Sequence, residues 1–305
     1  MGDESIIARL DSFSSSSAEK SYSFAGVQGQ IVAYTTEDVV PALEEVQSAI
    51  DNGLYAVGFV SYEAASGLTP YLRTFKTADA PLVYFVFFAE RKQIEVGALD
   101  LLNKVGGIIS MGGDHTIAFP LLRAINKINK GPVALVHFDA HLDTWDTYFG
   151  APYTHGTPFR RAREENLFLD NASMHVGIRG PLYSRDDLKN DAEFGFKIIH
   201  CDEFQSQGID KIVERIRKRV GNNPLYLSID IDVLDPAFAP GTGTPEIAGM
   251  TTREMVNVIR GLSGLNLISA DVVEVAPAYD HAEVTSLAAA TIVYELTNLF
   301  AKSKG

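Results

Sequence analysis

The sequence predicts an α/β protein: a three-layer α/β/α domain with a parallel sheet over residues 93–305, behind an atypical N-terminal segment over 1–92. Three features carry that expectation. From Gln93 onward, short apolar runs alternate regularly with segments of helical periodicity. The runs, such as VALVHF at 133–138 and LYLSIDI at 225–231, are apolar at nearly every residue, as strands buried on both faces must be. The segments between them are amphipathic, so helices would cover both sides of the sheet.

Within the N-terminal segment, residues 1–23 read as a flexible lead-in, serine-rich from 11 onward. A small α/β portion follows. Residues 31–34 are β-prone, 39–50 carry helical apolar spacing that stops at Asn52-Gly53, and 55–61 and 82–88 are short aromatic-bearing strands. In the larger portion, helices are expected at 94–104, 118–129, 209–220, 252–262 and 284–303. Strands are expected at 107–110, 133–138, 174–178, 197–200, 225–231 and 267–275.

Composition narrows the function classes. A net charge of -13 argues against non-specific nucleic-acid binding and against docking on anionic membranes, and it suits a small cationic substrate. The single cysteine, Cys201, allows no internal disulfide and fits a reducing compartment. The N-terminus lacks the apolar core of a secretory signal, and the strongly apolar run near 81–89 is too short to span a bilayer, so a cytoplasmic location is expected.

Chemistry-bearing residues fall where a parallel sheet gathers them, just past the carboxyl ends of strands. They are Gly112-Gly113-Asp114-His115, Asp139-Ala140-His141-Leu142-Asp143, Asp230-Ile231-Asp232 and Asp271-Val272-Val273-Glu274. In extended chain alternate side chains share a direction, so Asp139, His141 and Asp143 can present three donors to one side, and Asp230 and Asp232 repeat the device. So many carboxylates together would cost several kcal/mol or take up protons unless cations lay among them. Two divalent ions would remove that penalty, and a carboxylate-rich set with two imidazoles suits manganese.

The segments MGGDHTIAFPLL, HFDAHLDTWD, THGTPFRR, GIRGPL, LSIDIDVLDPAFAPGTGTPEIAGMTTRE and DVVEVAPAYDHAEVTSLAAATIVYEL resemble the ureohydrolases, the arginase and agmatinase superfamily, over about residues 106–301. The resemblance implies an arginase-like fold holding two Mn2+ per subunit on His115, Asp139, His141, Asp143, Asp230 and Asp232, with Asp139 and Asp230 bridging. It implies further that His155 shuttles protons and that Glu274 holds the substrate's guanidinium. A water acidified between the two ions, oriented by Asp143, would attack the guanidinium carbon and release urea. Homo-oligomers, trimers or hexamers, are usual for that family.

The loop from Thr144 to Thr154 lacks the Asn- and Ser-bearing pattern of arginases, and HGTPFRR and VAPAYD look more like agmatinases. Agmatine is therefore the expected substrate, with Trp145, Tyr148 and Tyr153 available to wall its alkyl chain. The alternatives are 4-guanidinobutyrate or another guanidino acid, whose carboxylate Arg160, Arg161 or Arg179 could meet, a formiminoglutamate-type substrate, and a catalytically impaired metal-binding homologue. The chain departs from the family in its opening: the usual strand, Gly/Pro-rich loop and second strand are missing. Residues 21–91 instead resemble the N-terminal part of aminodeoxychorismate synthase component I, without that enzyme's chorismate-binding region.

Overall fold

A computed structural model describes residues 8–10, 21–61, 64–68, 81–94 and 107–304. The chain divides into two compact units, Met1–Gly97 and Ala98–Gly305. The expected helix at 94–104 lies almost wholly outside the described residues; its first residue, Ile94, ends a strand.

The first unit is built on an antiparallel sheet of β1 (Ala8–Leu10), β2 (Ser21–Ala33), β3 (Tyr55–Val60) and β4 (Val83–Ile94) in the order β1-β2-β4-β3. The flexible lead-in expected over 1–23 is corrected at both described places. Ala8–Leu10 and Ser21–Ser23 are strand, because backbone pairing along β2 needs no apolar alternation once β4 supplies the partner. Helix α1 (Thr36–Asp51) buries Val39, Ala42 and Val46; with α2 (Ala65–Leu68) it completes the described elements of this unit.

The second unit carries a six-stranded sheet of β5 (Ile109–Met111), β6 (Ala134–Phe138), β7 (Met174–Ile178), β8 (Lys197–His200), β9 (Leu225–Asp230) and β10 (Leu267–Val273). Its order is β5-β10-β9-β6-β7-β8, and every pairing is parallel. All residues of β6, β7 and β9 are buried, which is why their sequences are apolar without alternation.

Around the sheet lie α3 (Ala118–Asn129), α4 (Pro158–Glu164), α5 (Asp187–Glu193), α6 (Asp202–Gln207), α7 (Ile209–Val220), α8 (Thr252–Gly261) and α9 (Val284–Lys304). The short α4, α5 and α6 have no amphipathic period long enough to read. By contrast α8 is announced by a capping box, Thr251 accepting from the Glu254 amide while Glu254 reaches back to the Thr251 amide. By length and composition α9 could cross a bilayer, yet Ala288, Ile292, Leu296 and Leu299 lie in the core of this unit.

The topology fixes where a site can form. From β6 the chain adds β7 and β8 outward on one side, then returns to lay β9 and β10 on the other. Such a reversal leaves a crevice beyond the carboxyl ends of the two strands that flank it. Here those strands are β6, ending just before Asp139, and β9, ending at Asp230.

Candidate metal centre and substrate pocket

Four neighbouring strands deliver the carboxylates and imidazoles. His115 follows β5, Asp139 to Asp143 follow β6, Asp230 and Asp232 close β9, and Glu274 follows β10. The short turn after β5 is tied to β10 by Gly112 N donating to Val272 O at 2.9 Å and Glu274 N donating to Gly113 O at 2.8 Å. A Cβ at Gly112 would lie 2.3 Å from Ile117 Cδ1, so a larger residue there would make the Ile117 side chain shift. Asp143 and Glu274 hold left-handed backbone at φ 54° and 61°, a strain of about 1–3 kcal/mol for residues with a Cβ.

The donor atoms face one another. His115 Nδ1 lies 2.9 Å from Asp143 Oδ2, 3.2 Å from Asp230 Oδ2 and 3.5 Å from Asp139 Oδ2. His141 Nδ1 lies 3.1 Å from Asp232 Oδ2 and 3.4 Å from Asp139 Oδ1. Asp139 therefore belongs to both clusters, one oxygen toward each. Ala140 N donates to Asp232 Oδ1 at 3.1 Å and Asp232 N donates to Asp230 Oδ1 at 2.9 Å, which aims the remaining oxygens at the imidazoles. Gly180 lets the second cluster close, because a Cβ there would stand 2.5 Å from the His141 ring.

Whether this set fits cations can be tested on His115. Its Nε2 is 2.9 Å from Ser228 Oγ, and the Ser228 hydroxyl donates to Asp271 Oδ1 at 2.7 Å. Having spent its one proton, Ser228 must accept from Nε2–H, which leaves Nδ1 of a neutral His115 as a bare lone pair. That atom is buried and has no hydrogen-bond partner, yet three carboxylate oxygens surround it. Carboxylate oxygens around an imidazole lone pair need positive charge between them, a divalent cation or, without one, the proton that these carboxylates hold by raising the His115 pKa.

The carboxylates agree. Burial, then the charges of Asp232 and Asp139, pushes Asp230 well above the usual carboxylate range. Burial and Asp139 push Asp232 up to about 6, and raise Asp143 as well. Asp143, Asp230 and Asp232 are thus pushed toward shedding charge in the absence of ions, while Asp139, His115 and His141 keep theirs by facing one another. Divalent cations would relieve the crowded carboxylates, so the donor set fits a binuclear centre.

Beside the cluster opens a pocket. Asp143, Asp230 and Glu274 stand at its inner end, and Trp145, Tyr148 and Tyr183 form its wall. Trp145 and Tyr148 stack at 5.4 Å between ring centres, and Tyr183 meets Trp145 edge-on at 4.7 Å. Asp187 fixes this wall, accepting from Trp145 Nε1 at 3.1 Å and from the Tyr183 and Ser184 amides at 2.9 Å each. Gly156 allows it, since a Cβ would press on the Trp145 ring at 2.8 Å.

His155, beside Gly156, enters the same pocket with Nδ1 3.6 Å from Asp114 Oδ2, and that partner raises its pKa above the ordinary imidazole value. Glu274 accepts from the His115 amide at 2.5 Å, and burial pushes its pKa up to about 7.

The six expected metal ligands, His155, Glu274, Trp145 and Tyr148 are all in the cluster or the pocket. Tyr153 is not among the pocket residues; it is exposed and packs toward Phe119 at 6.2 Å. Sequence reasoning missed Tyr183 and Glu246 in the pocket, the pairing of Asp114 with His155, and the buried His137, His175 and Asp191 behind Asp139. A signal existed for His137, which shares a strand face with Asp139 two residues on.

The arginase family profile matches residues 48–298, from within the first unit to near the end of the chain. The chain belongs to the arginase family. It is 46% identical over 249 residues to a Schizosaccharomyces pombe protein named as a candidate agmatinase, covering 74% of this chain and 63% of that one. To a Pseudomonas aeruginosa guanidinopropionase it is 46% identical over 242 residues, covering 78% of this chain and 75% of that one. Among solved structures, the proclavaminate amidino hydrolase of Streptomyces clavuligerus aligns with a TM-score of 0.63 and 40% identity, covering 67% of this chain and 68% of that one. The chain spans 63% and 49% of the lengths of two yeast relatives that it matches. The arginase-family fold, with its central parallel sheet, is that of the second unit.

Proposed function

We propose that this arginase-family chain is an amidinohydrolase that, with two manganese ions, adds water to agmatine and releases urea and putrescine. The observation that carries the choice of substrate is the pocket: acidic at its inner end, aromatic along its wall, and lined by no lysine or arginine among the described residues.

A guanidino acid would need a cation for its carboxylate. The three arginines considered for that task are committed elsewhere. Arg179 donates to the carbonyls of Gly177, Asp232, Val233, Leu234, Glu246 and Ile247. Arg161 pairs with Asp146 and Glu164, and Arg160 with Glu164. An aminoalkyl tail has no such need, since aromatic faces and the nearby Glu246 carboxylate suit an ammonium.

When bound, the two cations supply a water acidic enough to act as hydroxide near neutral pH. The protein's own groups do the rest. Glu274 takes the guanidinium by charge-assisted hydrogen bonds and sets its carbon toward the cluster. Asp143 accepts a hydrogen bond from the attacking water and orients it. His155, kept protonated by Asp114, hands a proton to the departing amine. The stacked Trp145 and Tyr148 exclude water from the alkyl chain. The buried free thiol of Cys201 accords with a cytoplasmic setting.

The deciding experiment incubates purified protein with Mn2+ and agmatine, 3-guanidinopropionate, 4-guanidinobutyrate or formiminoglutamate, assaying urea and formamide. Urea from agmatine at far higher kcat/KM than from either acid is expected; an equal or greater rate with an acid overturns the substrate assignment. The Asp114–His155 pair gives a second expectation. Because Asp114 holds the His155 pKa up, Asp114→Asn lets it fall toward the free value of about 6.5. The alkaline limb of the kcat–pH profile should then move to lower pH, and an unmoved limb removes His155 from the proton-transfer step.

A further inference from the structure

Behind Asp139, on the side away from the pocket, runs a hydrogen-bonded chain that the mechanism above does not use. His137 Nε2 meets Asp139 Oδ2 at 2.7 Å, His137 Nδ1 meets His175 Nδ1 at 2.7 Å, and His175 Nε2 meets Asp191 Oδ1 at 3.1 Å. Thr144 Oγ1 donates to the same Asp191 oxygen at 3.0 Å. All four members of the chain are fully buried.

The sheet builds it: His137 on β6 and His175 on β7 are in register as direct neighbours, so their rings emerge side by side. Phe159 lies 4.3 Å from the His137 ring and Phe196 lies 3.9 Å from the His175 ring, so the pair is closed off by aromatic carbon.

We propose that His137 and His175 are positioning residues for the shared carboxylate: His137 donates Nε2–H to Asp139, and His175, anchored on Asp191, fixes the orientation and tautomer in which it does so. Counting protons supports the direction. An ionised Asp139 can only accept, so Nε2 of His137 carries the hydrogen. A His137 with one proton must then accept at Nδ1, which makes Nδ1 of His175 the donor. Three links need three protons, one more than two neutral imidazoles hold, and the third belongs to the His175–Asp191 end.

Although His137 Nε2 lies within the first donor cluster, both its ring nitrogens are engaged, so it serves the ligand and not the ion. Asp139 gives one oxygen to each cluster, so its plane decides the alignment of both. Outer partners of metal ligands commonly govern affinity by about 10–100-fold.

The inference rests on the binuclear reading of the site, so its test reads metal binding before any turnover. Mn2+ is titrated into metal-free wild type, His137→Leu and His137→Gln, with free Mn2+ followed by electron paramagnetic resonance. His137→Leu should bind Mn2+ about 10–100-fold more weakly, and with saturating Mn2+ its kcat for agmatine should fall while KM holds within about twofold. Glutamine, whose amide can still reach Asp139, should recover most of both losses.

Wild-type affinity in His137→Leu, or equal damage from Leu and Gln, overturns the positioning role. Should His137→Leu fail to fold, Asp191→Asn is read in the same way, with several-fold weaker Mn2+ binding expected and unchanged binding overturning the proposal. Wild-type protein that binds Mn2+ but hydrolyses no guanidino compound removes the proposed function and leaves the affinity comparison intact.

Discussion

Asp232→Asn is expected to abolish urea release from agmatine while making the metal-free protein more stable. The two effects have one cause. Asp232 is fully buried, and burial together with the Asp139 charge pushes its pKa up to about 6, so near pH 7 its ionised form destabilises the metal-free fold. Asparagine keeps the oxygen that accepts from Ala140 N and drops the charge.

Relieving the charge should add about 1–3 kcal/mol, because each pKa unit corresponds to about 1.4 kcal/mol. At roughly 2–4 °C per kcal/mol for a unit of this size, that is several degrees in the melting temperature measured in chelator. With Mn2+ present the order reverses, since the ion that faces His141 loses an anionic ligand. A loss of about 4 kcal/mol in transition-state stabilisation corresponds to about 10³-fold in rate. A variant that melts lower than wild type in chelator, yet gains as much from Mn2+, would show that Asp232 is not a ligand.

Glu274→Gln is expected to separate substrate capture from metal binding. One carboxylate oxygen already accepts from the His115 amide, a bond that the glutamine carbonyl can keep, so the turn after β5 should hold its shape. The other oxygen, turned toward the pocket, becomes an NH₂ that faces a guanidinium also made only of donors. Losing a charge-assisted pair and gaining a donor–donor clash costs about 3–4 kcal/mol, or roughly 10²–10³-fold in kcat/KM. Mn2+ affinity should stay within a few-fold of wild type. Calorimetric Mn2+ titration beside urea kinetics checks this, and a wild-type KM in the variant would take Glu274 out of guanidinium recognition.

Much of the second unit was legible because its signals are local. The run VALVHF could only be a strand buried on two faces, and the structure has β6 there with every residue buried. The periodicity over 252–262 predicted α8, which the structure starts with a Thr251–Glu254 capping box. What escaped notice was short or non-local. Helices α4, α5 and α6 are six or seven residues long, less than two turns of periodicity. Strand β2 begins in the polar run Ser21-Tyr22-Ser23, which is strand because it pairs with β1 and β4.

By itself the sequence determined that carboxylates and imidazoles follow successive strands and how they are grouped along the chain. The expected two-residue period does not hold beyond Phe138, since Asp143 is left-handed and not extended, yet the strands around these residues have only one environment that tolerates their apolarity. Tertiary structure alone decided what stands behind those residues. Asp271, Ser228, His137 and His175 form one polar row across β10, β9, β6 and β7, set by the register of neighbouring strands. Distances along the chain carry no trace of that row, because register depends on how whole strands bury their faces against one another. The protons that row can give or accept leave His115 Nδ1 bare and hold the carboxylate of Asp139 in its plane.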